Sequence, residues 1–476
     1  MIYAIVFAVI VICQIVFMFW KTKSDISYDI PVSSDDMIIP KTSPESAGTL
    51  KKSFLSKIIS PIRSFFNKLV SSIISFVLKL ISSILSFLYK YKVTSSILSF
   101  LNKDLSSIVR NPVKPRNTRF LINRNDSKID NICFIAIGLV LLIMAATRDA
   151  TGYDWLNYHY FFDRLHLLEK RYSFVERLFL LYIEPGFSLL NMIMPSFIML
   201  LIVVAVFSVP TKLWIINKYS EAKYISLLMY FAGIFLAYDM GIMRQGIAIS
   251  IALMGLPFIK EKKLFKFLLI IFAGMMFHIA TIFFVPLYFL NYRKYSRKTI
   301  YIVTLIALIF YFIDLSRIIV FFVYLINNEF FIDRLSEYIE YGNTLIMSLV
   351  KRIIVLIIFV EFYEYFKIND KMSRIFLNGY VLSIAMMAVF SSVPIVSGRG
   401  AMTLYFLQIF IFAKIFAVSN KLYLKFGLFA LIIALSIDTM TGIITEGNMT
   451  AQPYTPYRSL IGHYWRLHFG LYPWLN

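Results

Sequence analysis

Asp239-Met240-Gly241-Ile242-Met243-Arg244-Gln245-Gly246 is a polar knot inside an apolar run from Tyr224 to Ile259. The whole run, knot included, folds into two helical limbs of roughly 27 Å at about 1.5 Å per residue, close to the span of a hydrocarbon core about 30 Å thick. The knot therefore reads as the apex of a hairpin. Lys218 and Lys223 precede the run and Lys260, Lys262 and Lys263 follow it. Basic feet of this kind stay in the cytoplasm, which sends the apex to the opposite side. An arginine facing lipid there costs about 2.5 to 3.5 kcal/mol, so it turns toward protein or a water-filled cavity, where it can hold an anion. Two other readings remain open: Arg244 snorkels to the outer headgroups, or it pairs with Asp239.

Composition extends this reading to the whole chain. Its 476 residues are 59% hydrophobic and 17% aromatic, with a mean hydropathy of +0.74. Repeated apolar runs near 20 residues long make it an all-α, polytopic transmembrane helical bundle, with about 11–12 membrane segments when re-entrant and short helices are counted. The formal charge is +21. Basic residues fall mostly in cytoplasmic segments, which indicates orientation and attraction to anionic membrane lipids rather than nucleic-acid binding. Cys13 and Cys133 both lie in apolar spans and build no disulfide framework. The histidines at 159, 166, 278, 463 and 468 have no metal-ligand spacing. No Gly-rich nucleotide loop and no Asp-x-Asp pair occurs, so no cofactor or metal is expected and a cytoplasmic nucleotide-sugar transferase is disfavoured.

From the N-terminus, residues 1–23 read as an anchor with its N-terminus outside, since Lys21 and Lys23 follow the span and no small-residue cleavage site precedes them. Residues 24–128 read as a cytoplasmic insertion. Its first part, to residue 50, is a Ser-, Asp- and Pro-rich connector. Beyond it apolar residues recur at helical period, and Lys57, Lys68, Lys79 and Lys90 stand eleven residues apart. Eleven residues close an almost whole number of turns, so these lysines form one stripe of an amphipathic helix lying on anionic headgroups. A true span from Leu69 to Tyr89 is the alternative; it would bury Lys79 at mid-membrane and invert the N-terminus.

The transmembrane catalytic bundle is expected over 129–440. Residues 129–147 cross outward, an outer loop covers 148–186, and 187–209 return inward to Lys212. Residues 264–290 lie between two basic clusters, so the chain must leave and return within some 40 Å of helix, which suggests a re-entrant pair turning near His278. A single crossing is the alternative. A second outer loop at 315–345 holds Asp333, Arg334 and Tyr338. Spans near 345–366, 375–393, 402–418 and 426–438 follow. Between the second and third of these, the glycines of Gly398-Arg399-Gly400 allow a sharp outer turn before a helix N-terminus. The tail, 441–476, is polar, aromatic and outside.

One outward chamber is thus expected to collect Arg148, Asp154, Glu184, Arg244, Gln245, His278, Arg399 and Arg458. Arginine forks suit phosphate oxygens, and a histidine or carboxylate can take a hydroxyl proton. Tyr158, Tyr454 and Tyr457 are candidates to stack on sugar rings. Asp154, Glu184 and His278 each have a plainer reading too, as a structural hydrogen-bonding group.

These residues carry a resemblance. Arg148-x3-Gly152-x-Asp154-x3-Tyr158, Glu184-Pro-Gly186-Phe-x3-Asn191, Met243-Arg244-Gln245, Phe277-His278, and Gly398-Arg399 with Tyr405 resemble the motifs of the EpsG-type branch of Wzy-like bacterial polysaccharide polymerases. The similarity covers about residues 130–460. It departs from the family pattern in the insertion at 24–128 and after His278, where Ile279-Ala280-Thr281 replaces Ser-Ala-Leu.

The resemblance implies an inner-membrane, metal-independent glycosyltransferase that polymerises undecaprenyl-diphosphate-linked oligosaccharide units at the outer face, for O-antigen, capsule or exopolysaccharide. The chain-length regulator and flippase of the same pathway are its implied partners. On this reading Arg244, Arg399 and Arg148 hold the diphosphate and His278, with Asp154 or Glu184 next, is the base. Gln245, Asn191, Tyr158, Tyr454, Tyr457 and Arg458 position sugars. A lipid-linked oligosaccharide flippase, an O-antigen ligase and a purely structural scaffold are the alternatives. A flippase would be expected to show internal repeat symmetry, and the sequence has none.

Overall fold

In a computed structural model, described for residues 1–26, 124–181, 183–313, 346–362, 370–419, 422–445 and 453–461, the regular structure is helical apart from one isolated bridge between Arg148 and Ser459. Chain order begins with α1 (Ile2–Ile26), α2 (Arg124–Ala146), α3 (Trp155–Leu167), α4 (Phe174–Phe179), α5 (Pro185–Ile193) and α6 (Phe197–Tyr219). Next come α7 (Lys223–Met229), continued by a π-helix (Tyr230–Gly241), then α8 (Met243–Met254), α9 (Leu256–Lys260) and α10 (Leu264–Met275). A 3₁₀ segment (Ile279–Phe284) leads into α11 (Val285–Leu290) and α12 (Arg297–Tyr311). The last are α13 (Ile346–Glu361), α14 (Lys371–Val389), α15 (Pro394–Tyr405), α16 (Gln408–Val418) and α17 (Leu422–Thr445).

Among the described residues six helices are long and apolar enough to cross a membrane, and the chain is a multi-pass membrane protein. Their burial separates centre from rim. The 223–241 helix is 89% buried, whereas Leu422–Thr445 is 22% buried and leaves its apolar surface outward, as a lipid-facing helix does. The apolar segment 264–290 is two short limbs, α10 and the 3₁₀–α11 run, broken at Met276–His278, which is where the charge count placed its turn.

Three expectations change. α6 does not stop at Lys212 but runs on to Tyr219, and Lys212 is fully buried inside the bundle. Gly398-Arg399-Gly400 makes no turn: it lies within α15, and the chain reverses earlier, at residues 390–393. α17 continues to Thr445, past the expected start of the tail. The lysine-striped segment and the second outer loop lie outside the described residues.

The segment after α2 and the tail close one end of the bundle together. Asp149 N–H donates to Arg458 O (3.0 Å), Gly152 N–H to Pro453 O (2.7 Å) and Leu460 N–H to Thr147 O (2.8 Å). Gly152 has φ +111°, and a β-carbon there would strike the Met240 carbonyl, so glycine alone lets this strap lie on the hairpin apex. Tyr454, fully buried, donates its hydroxyl to Leu236 O at 2.8 Å and meets Tyr153 edge-on at 5.3 Å. Tyr454→Phe therefore removes one buried hydrogen bond and should cost about 1 kcal/mol. The check is a lowered unfolding temperature of the detergent-solubilised protein; an unchanged one would show that the tail does not hold the apex.

Candidate functional site

The apex owes its shape to π winding. Tyr230 donates its hydroxyl to Asp239 Oδ2 at 2.7 Å, nine residues along the same helix. At about 100° per residue an α-helix would put these side chains on opposite faces, whereas an i→i+5 helix of about 4.4 residues per turn brings them nearly in line. The helix ends with Ile242 N–H donating to Ala237 O (2.8 Å). Lys212 then locks the apex from α6. Its ammonium lies 2.7 Å from Asp239 Oδ1, 2.7 Å from Ser208 Oγ, 2.8 Å from Ser250 Oγ and 2.8 Å from the Gly246 carbonyl. Both charges are shielded from solvent, so the pair persists because its hydrogen-bonding capacity is met on every side. Asp239 thus belongs to Lys212, and Arg244 takes a different carboxylate.

That carboxylate is Glu184. Arg244 Nη1 lies 2.6 Å from Glu184 Oε2, and Glu184 Oε1 accepts the Ile279 N–H at 3.3 Å. Glu184 sits immediately before Pro185, at the start of α5. Gly186 N–H donates to Met276 O (2.8 Å), and a β-carbon on Gly186 would lie 2.7 Å from that same oxygen. The Glu-Pro-Gly strap therefore ties the start of α5 to both the hairpin apex and the break at 276–278. The Arg244 guanidinium carbon is 5.9 Å from the Tyr158 ring centre.

His278 stands at that break, 3% exposed, with Nδ1 accepting the Ala280 N–H at 3.1 Å. A ring nitrogen that accepts carries no proton, so the neutral imidazole has its hydrogen on Nε2. Thr281, one of the residues that departs from the family pattern, donates its hydroxyl to His278 O at 2.9 Å and fixes the same turn. The charges of both Arg244 and Arg399 act on the His278 ring.

Arg399 joins from α15. Gln245 Nε2 donates to the Arg399 carbonyl at 2.8 Å, fastening the apex to this helix, while Gln245 Oε1 is buried without a partner. The half-buried Arg399 guanidinium has no hydrogen-bond or ion-pair partner among the described residues. Asp154, half-buried at the N-terminus of α3, has one long contact, from Asn157 Nδ2 at 3.4 Å, and its charge acts on Arg244. Five segments distant in sequence thus bring Asp154, Glu184, Arg244, Gln245, His278 and Arg399 to one end of the bundle.

The other candidates are placed elsewhere or differently. Arg148 is 1% exposed, donating to the Ala145 carbonyl and, at 3.4 Å, to Met243 Sδ. Burial pushes its guanidinium down to about 10, which still leaves it protonated at neutral pH. It is a buried brace between α2 and the apex, so the expected diphosphate contact is corrected. Tyr454 and Tyr457 are likewise corrected from sugar-stacking to packing: Tyr454 is bonded to Leu236 O, and Tyr457 donates to Met144 O at 3.0 Å. Tyr158, 1% exposed, has its edge against Phe187 (5.5 Å), and burial pushes its phenol up to about 12, so it stays protonated. Asn191 is fully buried with Nδ2 donating to Phe187 O at 2.7 Å and Oδ1 unpartnered. Arg458 is exposed, and its backbone carbonyl accepts from Asp149 N–H.

A family model, described as the EpsG family, matches residues 131–459. The chain belongs to the EpsG family. Its general role is accordingly that of a polysaccharide polymerase, a membrane protein of polysaccharide biosynthesis. Comparison with curated proteins and with solved structures gives no match. The matched span of this EpsG-family chain includes every residue of the cluster, from Asp154 to Arg399.

Sequence reasoning missed two features of this EpsG-family chain. One is the Lys212–Asp239 network, although a lysine 15 residues into an otherwise apolar helix is itself a signal, since an intramembrane charge needs a partner. The other is Arg352 on α13, which is 9% exposed and whose guanidinium carbon lies 4.2 Å from the Tyr405 ring centre. In the sequence it follows Lys351 near the start of its span and so resembles an interfacial cation.

Proposed function

We propose that this protein joins undecaprenyl-diphosphate-linked oligosaccharide repeat units into a surface polysaccharide at the outer face of the bacterial cytoplasmic membrane. The observation that carries this reading is Arg399: a half-buried guanidinium without a partner among the described residues, at the end of the bundle that also carries His278, Arg244, Glu184 and Asp154. Five donors in a fixed fork suit phosphate oxygens. A cation in a low-dielectric site stabilises the charge that grows on the diphosphate as the glycosidic carbon–oxygen bond to phosphate breaks.

In that step the anomeric carbon of the growing chain leaves the lipid diphosphate and bonds to a hydroxyl oxygen of the incoming unit. The hydroxyl proton goes to a carboxylate, and lipid diphosphate is the leaving group. His278 is reassigned here from base to donor, because its Nδ1 is occupied and Nε2 carries the hydrogen. Asp154 takes the role of base, with Glu184 second, because Glu184 already neutralises Arg244. Arg244 and Gln245 orient the substrate, and no metal takes part in the transfer. Anionic lipids attract the basic cytoplasmic segments, and the flippase and chain-length regulator of the same pathway are the protein partners proposed.

The test is the lipid-linked glycan profile of a deletion strain. Single repeat units at the outer leaflet without polymer, restored to polymer by the wild-type gene, support the reading. Units trapped on the cytoplasmic leaflet support a flippase, and free polymer not passed to its acceptor supports a ligase. Asp154→Asn should lower polymer yield by about 10²–10⁴ at unchanged protein level, since only one long contact is lost. Undiminished yield would move the base to Glu184.

A further inference from the structure

Charge balance in the cluster leaves more to assign. Arg244 is neutralised by Glu184 at 2.6 Å, so the pair contributes no net charge toward a ligand. Arg399 and Arg352 are different. Neither has a carboxylate within ion-pair distance among the described residues, and both attach to α15. Arg352 Nη2 donates to Met402 Sδ at 3.1 Å, and its guanidinium lies on the Tyr405 ring. Met402 is three residues after Arg399, so it stands on the same face of α15 about one turn farther along, roughly 5 Å away. Arg352 Nη1 is buried without a hydrogen-bond partner among the described residues. Tyr238, on the π-helix that carries the apex, interacts electrostatically with both Arg352 and Arg399.

A buried, unpaired N–H of a guanidinium is costly and awaits an acceptor. A sulfur atom and an aromatic face hold the guanidinium in place while leaving its charge uncompensated, so they position it without satisfying it. We infer that Arg352, whose guanidinium meets α15 at Met402 and Tyr405, is a second diphosphate-binding residue, and that Arg399 and Arg352 each take one phosphate of the lipid diphosphate. Each phosphate of a diphosphate diester keeps one ionised oxygen, so Arg399 and Arg352 together match the charge of the ligand head, while Arg148, also without a carboxylate, is turned to the Ala145 carbonyl and Met243 Sδ. The inference rests on the lipid-diphosphate reading above. It leaves the Arg244–Glu184 pair for the sugar and acceptor side.

The experiment measures binding of geranylgeranyl diphosphate and geranylgeranyl monophosphate to the full-length protein in detergent micelles. Wild type should prefer the diphosphate. Arg352→Gln should weaken diphosphate binding about 10–100-fold, the worth of a charge-assisted hydrogen bond, and change monophosphate binding by less than about threefold. A purely structural role for Arg352 would lower both equally and leave their ratio unchanged. Arg352→Lys, which keeps the charge and loses the planar fork, should lower the ratio by a smaller factor, about threefold to fivefold. It carries the test if Arg352→Gln does not accumulate. An unchanged ratio in the variant that folds overturns the assignment of Arg352 and leaves the proposed function standing; a wild type that binds neither probe overturns both.

Discussion

Arg399→Ala abolishes polymer and leaves single lipid-linked repeat units, while the protein accumulates in the membrane at its normal level. The second half of this expectation gives the experiment its force. The Arg399 side chain makes no hydrogen bond or ion pair among the described residues, so its removal breaks no polar contact there. The contact that Arg399 does supply to the bundle comes from its backbone carbonyl, which accepts from Gln245 Nε2 and survives the substitution. What is lost is a cation beside the developing diphosphate charge, worth about 10²–10³ in rate for a single preorganised donor. Arg399→Lys should recover part of the rate, because the charge returns without the planar fork. Arg244→Ala is a less clean test: it strands Glu184 as a half-buried carboxylate without its cation, so a loss there mixes stability with catalysis. Polymer of wild-type length and amount from Arg399→Ala would remove this arginine from the mechanism.

Asp239→Ala should destabilise the detergent-solubilised protein by about 3–5 kcal/mol, the cost of leaving a partner charge buried and uncompensated. Lys212 has 0% side-chain exposure and would keep its ammonium among two hydroxyls and one carbonyl. The double variant Lys212→Met, Asp239→Leu should recover most of that stability, since an apolar pair of similar volume removes both desolvation penalties. Activity should not follow stability back. Lys212 also bonds the Gly246 carbonyl, two residues after Arg244, and the double variant frees the apex from α6. Thermal unfolding and polymer yield, measured on the same three proteins, separate the two effects. A single variant as stable as wild type would show that the pair does not hold the apex.

The hairpin around 239–246 was legible because a charged knot in an apolar run has few places to go. The turn near His278 was legible for a related reason: two basic clusters too close together for a full return trip force a broken helix. Burial of individual side chains was not legible. Arg148 and Tyr454 look like ligand residues in a polar outer stretch, yet both are sealed by the strap of 147–152 against 453–460, a pairing between segments some 300 residues apart. Local pattern carries no information about such a closure. The Gly398-Arg399-Gly400 stretch misled for the opposite reason. Its glycines permit a turn, but helical packing uses Gly400 to admit the Phe283 ring, while Gly398 faces open space. Nor could the exchange of partners be read from spacing: Asp239 lies five residues from Arg244 but bonds Lys212, and Arg244 reaches back to Glu184.

The wide winding of Tyr230–Gly241 makes residue count, rather than side-chain identity, the constrained property of that stretch. Removing a single amino acid between Phe231 and Tyr238 would swing everything downstream by about 80° relative to everything upstream, one residue's share of a turn of about 4.4 residues. Asp239 would then face away from Tyr230, and the lysine that anchors it would meet hydrocarbon instead. Conservative exchanges along the segment leave that phase intact, whereas one lost codon scrambles it.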